Sequence, residues 1–312
     1  MDKTVINNQS SVSGVIVPVV TPVDENERVD EKSYRAVLNY CLNAGVDGVF
    51  VGGSAGMGPL LTEMEWKRAM GIARSEVNNG KFLLGGVICT STAIAIERIK
   101  FLEKCGYDYM VVTPTYYITL NDPQQFFAHF DICRQSSVME MVVYNIPSCT
   151  YSQIPLSVLE KMAEQGFYKT IKESSGNRDY FSKTLEIAKS YGISVLQGNE
   201  PDMAWGLSNG AGGIVPVCAN YEPGTFVALW QAHRNNDKEL MRAAQSRIDQ
   251  IRDSLLVKSE NWIAGIMYGV SSIGMGIGKP VRPLSEISDT SKKRIDALNV
   301  INIRREILDG IN

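Results

Sequence analysis

Residues 82–112 read FLLGGVICTSTAIAIERIKFLEKCGYDYMVV. The two ends, 82–88 and 107–112, are short, nearly continuous apolar runs. Between them Ala95, Ile99 and Leu102 fall at i, i+4 and i+7, and Gly106 stands where a left-handed residue would stop a helix. A helical stripe between two apolar runs predicts a β-α-β unit whose strands are parallel and covered on both faces.

The same rhythm extends in both directions. Runs at 14–20, 47–51, 82–88, 107–112, 139–144, 167–172, 193–197 and 213–217 predict eight strands, with helical patterns between them. Thr62 and Glu65 have the spacing of a capping box that would open one of those helices. Eight βα units in this length predict an α/β fold, a (β/α)8 TIM barrel with a C-terminal helical extension; an open doubly wound sheet is the alternative. After 217 only helices are expected, over 223–235, 238–256, 261–268 and 291–308. The division that follows is a barrel over 1–235 with a short polar N-terminal tail, and a helical region over 236–312 packed on it.

Composition bounds the function. The chain has 312 residues, 44% of them hydrophobic and 21% charged, which suits a protein with a large core. A net charge of -3 and the lack of a basic run argue against a nucleic acid partner. The first ten residues lack the apolar core of a secretory signal and no stretch is long enough to span a bilayer, so no membrane partner and a cytoplasmic location are expected. Six cysteines without a C-x-x-C pair read as reduced structural thiols. The segment 274–280 has the spacing of neither nucleotide-binding glycine motif.

In a barrel of this kind, chemistry gathers at the C-terminal ends of the strands. Lys172 closes the sixth run there and Tyr144 the fifth. A lysine aimed into an apolar pocket loses its charge readily, and its amine can then attack a ketone to form a Schiff base; a phenol beside it can carry the proton. A solvated cap is the plainer reading of a lysine at a strand end. The turn Gly52–Gly58 after the second run would present the Ser54 and Ala55 amides as a nest for a carboxylate, or is merely a tight turn. Tyr116 and Tyr117 follow the fourth run and are either packing aromatics or, through the Ser54 hydroxyl, part of a proton relay with Tyr144. Gly198, Asn199 and Glu200 follow the seventh run, where the polar pair could bond a polyhydroxylated substrate or be a solvated loop. His129 and His233 are the chain's two histidines and both fall on predicted helices, so an imidazole-held metal is not expected.

Together these pieces resemble the dihydrodipicolinate synthase and N-acetylneuraminate lyase family of class I, pyruvate-handling aldolases. The matching segments, in order, are Gly53-Ser54-Ala55-Gly56, Thr113-Pro114-Thr115-Tyr116-Tyr117, Tyr144-Asn145-Ile146-Pro147, Ile171-Lys172-Glu173-Ser174-Ser175-Gly176-Asn177, Gly212-Gly213-Ile214-Val215 and Val281-Arg282-Pro283. The similarity runs from about Gly14 to Pro283. It implies that Lys172 is the Schiff-base lysine, Tyr144 the proton shuttle, Ser54 a relay hydroxyl and Tyr116 the relay tyrosine that members often lend to a neighbouring subunit. Gly53, Ala55, Gly198, Glu200 and Ile214 would line the substrate, with the Ser54 and Ala55 amides on the pyruvate carboxylate. No cofactor and no metal are implied. The partners would be pyruvate with an aldehyde or 2-oxo acid, and further copies of the chain in a homotetramer or homodimer.

Three positions depart from the family pattern. Ala55 replaces a threonine, and Met57 replaces a glutamate in a Met-Gly-Pro closer to the Leu-Gly-Pro of 2-keto-3-deoxygluconate aldolases. Cys149 stands where dihydrodipicolinate synthases place the arginine that holds the second substrate's carboxylate, a contact no thiol can supply. The expectation is therefore a lyase acting on a 2-keto-3-deoxy sugar acid or a sialic-acid-like substrate. A dihydrodipicolinate synthase, a 2-keto-deoxy sugar acid dehydratase and a catalytically silent 2-oxo-acid-binding regulatory barrel are the alternatives.

Overall fold

In the computed structural model of the chain, residues 11–78 and 80–301 are described. Eight strands form a closed barrel in sequence order: β1 (Gly14–Pro18), β2 (Gly48–Val51), β3 (Phe82–Val87), β4 (Tyr109–Val112), β5 (Glu140–Asn145), β6 (Thr170–Glu173), β7 (Ser194–Gln197) and β8 (Gly213–Ile214). The helices are α1 (Glu31–Asn43), α2 (Glu63–Glu76), α3 (Thr92–Cys105), α4 (Pro123–Gln135), α5 (Pro147–Thr150), α6 (Leu156–Glu164), α7 (Arg178–Tyr191), α8 (Met203–Ser208), α9 (Pro223–Arg234), α10 (Lys238–Arg252), α11 (Trp262–Ser272) and α12 (Asp289–Asp296). The predicted parallel barrel with its helical C-terminal part is what forms. No helix among the described residues is long and apolar enough to cross a membrane.

Two compact units make up the chain. The first holds 11–14 and Val77–Val215, hence β3–β8 and α3–α8. Both faces of its strands are covered: every residue of β4 and β6 is buried, the polar Thr170, Lys172 and Glu173 of β6 included. Gly85 on β3 is a glycine for the same reason, since a side chain there would begin 2.5 Å from a Leu102 methyl on α3. The Ser91 hydroxyl accepts from Ile94 N to open α3, and Gly106 ends it at φ 79°. Such caps each stabilise a helix by about 1 kcal/mol. Asn177 caps α7 in the same way, through Tyr180 N, and so fixes the turn that follows β6.

The second unit holds Val15–Glu76 and 216–301, hence most of β1, with β2, α1, α2 and α9–α12. Here Thr62 accepts from Glu65 N at 3.3 Å, which is half of the expected capping box. The Glu65 carboxylate does not return to the helix start. It is buried and accepts from Val29 N at 2.7 Å, because an interior backbone donor outcompetes an exposed one. The C-terminal helices are tied down by a buried ion pair between Arg247 on α10 and Glu222 at 2.7 Å. Ile301 N and the Asn299 carbonyl complete its bonding, at 3.0 and 2.5 Å.

Several boundaries move. The last predicted helix, 291–308, begins earlier, at Asp289, where the Ser288 hydroxyl accepts from Ser291 N. It stops at Asp296, and 302–308 lie outside the described residues. The sixth strand was expected at 167–172 but spans Thr170–Glu173, so Glu173 belongs to the strand and not to the turn after it.

Candidate active site

Parallel strands place side chains alternately on two faces, and β5 and β6 are in register with Tyr144 opposite Lys172 and Asn145 opposite Glu173. Lys172 and Tyr144 therefore share a face. Both are buried, and the Lys172 Nζ lies 4.0 Å from the centre of the Tyr144 ring. Burial strips water from the ammonium and brings the Lys172 pKa down to about 7, against the opposing pull of Cys149 and Glu200, whose negative forms favour the charged amine. A lysine so placed has a substantial neutral fraction near pH 7, which is what a nucleophilic amine requires.

The floor beside the lysine is made by Gly198, at the end of β7. A Cβ there would lie 3.1 Å from Lys172 Cε and 2.0 Å from Ser174 Oγ, so a side chain would occupy the space next to the amine. Ser174 Oγ is itself buried with no hydrogen-bond partner among the described residues. In the sequence Ser174 reads as part of a turn; the signal for it is its position two residues after Lys172, where the alternation returns a side chain to the same face.

Glu200 opens a short 3-10 turn and is only 5% exposed, so it is not the solvated loop residue of the plainer reading. Its neighbour Asn199 is otherwise engaged: Nδ2 donates to Asp202 at 2.6 Å, and Asp202 also pairs with Arg178 at 2.6 Å. Cys149 is half-buried on α5, the single helical turn that Pro147 opens after β5. Ile214 on β8 is fully buried opposite Gln197 of β7.

The two tyrosines after β4 part ways. Tyr116 is half-buried, donates its amide to the Cys89 carbonyl at 3.4 Å and has its phenol pKa pushed up by burial. Tyr117 sits at φ 75°, a costly conformation for a bulky residue, and is 84% exposed. The loop is pinned from below by His129 on α4. Its Nε2 donates to the Thr113 carbonyl at 3.0 Å, so its Nδ1 accepts the Thr92 hydroxyl at 2.9 Å. Burial lowers its pKa and keeps it neutral. His233 lies on α9. Both histidines are thus on helices, as expected.

Ser54, Ala55 and Gly53 belong to the second unit, in the turn after β2. The turn is fixed by its own backbone, with Gly58 N donating to the Gly53 carbonyl at 3.0 Å and Met57 N to the Ser54 carbonyl at 3.1 Å. A side chain at Gly58 would begin 1.9 Å from the Gly52 carbonyl, and one at Gly53 2.7 Å from the Phe50 ring. Among the described residues no acceptor is bonded to the Ser54 or Ala55 amide. Met57, at φ 55°, uses its sulfur to accept from Val281 N at 3.3 Å. That contact gives the methionine a structural role inside the second unit.

The profile of the Dihydrodipicolinate synthetase family matches residues 11–300. The chain belongs to that family. It is an enzyme of a lyase family, then, and not merely a barrel that resembles one. A 4-hydroxy-tetrahydrodipicolinate synthase of Exiguobacterium sp. is 28% identical over 301 residues, covering 94% of this chain and 99% of the relative. An uncharacterized DapA-like lyase of Halobacterium salinarum is also 28% identical, over 91% and 92% of the two chains. Among solved structures, YagE of E. coli K12 in complex with pyruvate superposes with a TM-score of 0.86 at 21% identity, covering 92% of this chain and 97% of that one. A monomeric dihydrodipicolinate synthase variant gives 0.87 at 22%, covering 97% and 99%. At these identities the structural likeness establishes the fold alone.

Proposed function

We propose that this enzyme is a pyruvate-dependent class I aldolase. The observation that carries the reading is the buried Lys172 amine, with a pKa near 7 and packed against the Tyr144 phenol ring. The neutral amine attacks C2 of pyruvate, and Tyr144 passes the proton that lets water leave the carbinolamine. Loss of a C3 proton from the imine gives an enamine, whose C3 attacks the aldehyde carbon. Hydrolysis of the new imine releases the product and restores the lysine, so no redox partner is consumed. Family resemblance assigns the pyruvate carboxylate to the Ser54 and Ala55 amides, and places Ser54 and Tyr116 in the proton relay. Because Tyr117 projects from the protein and Tyr116 does not, Tyr117 is the residue available to a neighbouring subunit of a homo-oligomer.

For the aldehyde we favour a neutral, hydroxylated compound, the fragment of a 2-keto-3-deoxy sugar acid or a sialic-acid-like substrate. Three features support it. Cys149 cannot bind a second carboxylate; Glu200 is buried in the field of Lys172 and would repel one; Ser174 offers a hydroxyl that has no partner among the described residues. The competing reading, 4-hydroxy-tetrahydrodipicolinate synthase, takes its support from the names of relatives such as the Exiguobacterium enzyme. Incubating pyruvate with a panel of hydroxylated aldehydes and with aspartate semialdehyde separates the two. Condensation confined to the hydroxylated aldehydes is expected, and condensation confined to aspartate semialdehyde would reverse the assignment.

A further inference from the structure

The β5–β6 register places one pair of residues directly behind the reacting pair. Asn145 and Glu173 are opposite each other, one step along from Tyr144 and Lys172, and point to the other face of the sheet. Asn145 Nδ2 donates to Glu173 Oε1 at 3.1 Å, and the Ser175 amide donates to the same oxygen at 2.8 Å. The Asn145 amide has a settled orientation, because its Oδ1 accepts from Ile154 N at 3.1 Å. The main chain is held at the same level: Ser174 N donates to the Asn145 carbonyl at 2.9 Å and Gly198 N to the Glu173 carbonyl at 2.8 Å. Asn145 is 0% and Glu173 1% exposed.

We infer that the Asn145–Glu173 hydrogen bond is a positioning device that fixes the approach of the Tyr144 phenol to the Lys172 amine. The inference rests on the aldolase reading above. A carboxylate buried this deeply needs a purpose beyond closing a strand, since an apolar residue would pack on α-helices without the desolvation cost. The bond joins the two residues that directly follow the reacting pair in the chain. A change in its length shifts the ends of β5 and β6 along each other, and with them the phenol relative to the amine. Displacements of about 1 Å in such a pair cost on the order of a hundredfold in rate. Burial raises the Glu173 pKa, which agrees with a role for its acceptor oxygen and not for its charge. Neither Glu173 nor Asn145 touches substrate in this account; both act through Tyr144.

The test needs only pyruvate. The imine and enamine exchange the methyl protons of pyruvate with solvent, so the exchange rate in D2O, read by proton NMR, reports imine formation, which the phenol assists, together with loss of the C3 proton. Glu173→Ala should slow exchange by roughly 10- to 100-fold. Glu173→Gln keeps the acceptor oxygen and should recover most of the rate. Asn145→Asp keeps the acceptor for Ile154 N but replaces the donor to Glu173 with a second carboxyl, and should lose as much as Glu173→Ala; it carries the test if the alanine variant does not fold. The discriminating measurement repeats the changes in a Tyr144→Phe background. If the pair acts through the phenol, Glu173→Ala or Asn145→Asp should slow the residual exchange there less than about threefold. An equal factor in both backgrounds, or exchange at the wild-type rate in both variants, overturns the inference. Failure of wild-type protein to form a borohydride-reducible adduct with pyruvate would instead overturn the aldolase reading and this inference with it.

Discussion

A methyl group on Gly198 would stand 3.1 Å from Cε of Lys172, closer than nine in ten real contacts of that kind. The end of β7 is thus shaped around the lysine side chain, and in the proposed reaction the gap would receive the carbinolamine and imine carbons. Gly198→Ala is expected to slow imine formation with pyruvate by at least about tenfold and to lower the melting temperature, because the methyl would also meet Ser174 Oγ at 2.0 Å and one of the two must move. The double variant Gly198→Ala, Ser174→Ala should regain part of that loss. Stopped-flow reaction with pyruvate checks both; an unimpaired Gly198→Ala variant would show that the space is not used.

Tyr144→Phe removes a hydroxyl and leaves the ring packed over the amine. Turnover should fall by roughly 10²-fold or more with the fold preserved, since the ring contact survives and only the proton carrier is lost. Circular dichroism alongside steady-state kinetics separates the two effects.

The pH dependence follows from the lysine. With its pKa lowered to about 7, the amine is mostly protonated below that pH and mostly neutral above it. The rate of imine formation should rise about tenfold per unit below pH 7 and level off above it. Glu200 favours the protonated amine, so Glu200→Gln should move the midpoint to lower pH. A midpoint near the ordinary lysine value would mean that the amine is hydrated in solution.

On the proposed aldolase reading, Cys149 would set the second substrate. An ionic hydrogen bond to a carboxylate is worth about 1.5 to 3 kcal/mol, or roughly ten- to more than a hundredfold in binding, and the thiol supplies none of it. Condensation of pyruvate with glyceraldehyde should proceed while that with aspartate semialdehyde is negligible. Cys149→Arg should raise the second activity relative to the first, as measured by product chromatography.

Much of this is legible in the sequence. Strand positions and the barrel follow from apolar runs whose both faces are covered, and Lys172 with Tyr144 stands out because an amine and a phenol close two successive runs at the end of the barrel where chemistry gathers. Boundaries were less legible. The sixth strand starts three residues later than the apolar run suggests, because Phe167 and Tyr168 are apolar and buried although they lie before it. The Asn145–Glu173 pairing is not legible in the sequence, because the two stand 28 residues apart and only the β5–β6 register brings them opposite each other. Glu65 illustrates the same limit, its partner Val29 lying 36 residues away in sequence. Ser174 needs three dimensions, since its interest lies in having no hydrogen-bond partner among the described residues, whereas Gly198 is named by the resemblance and the structure adds the space it leaves.

The most direct measurement is reduction of the protein with borohydride in the presence of pyruvate, followed by peptide mass mapping. An imine reduced at the lysine leaves a stable secondary amine, and the account predicts a single pyruvate-derived adduct on Lys172 that is absent without pyruvate and absent in Lys172→Ala. An adduct on a different lysine, or none on the folded protein, would contradict it.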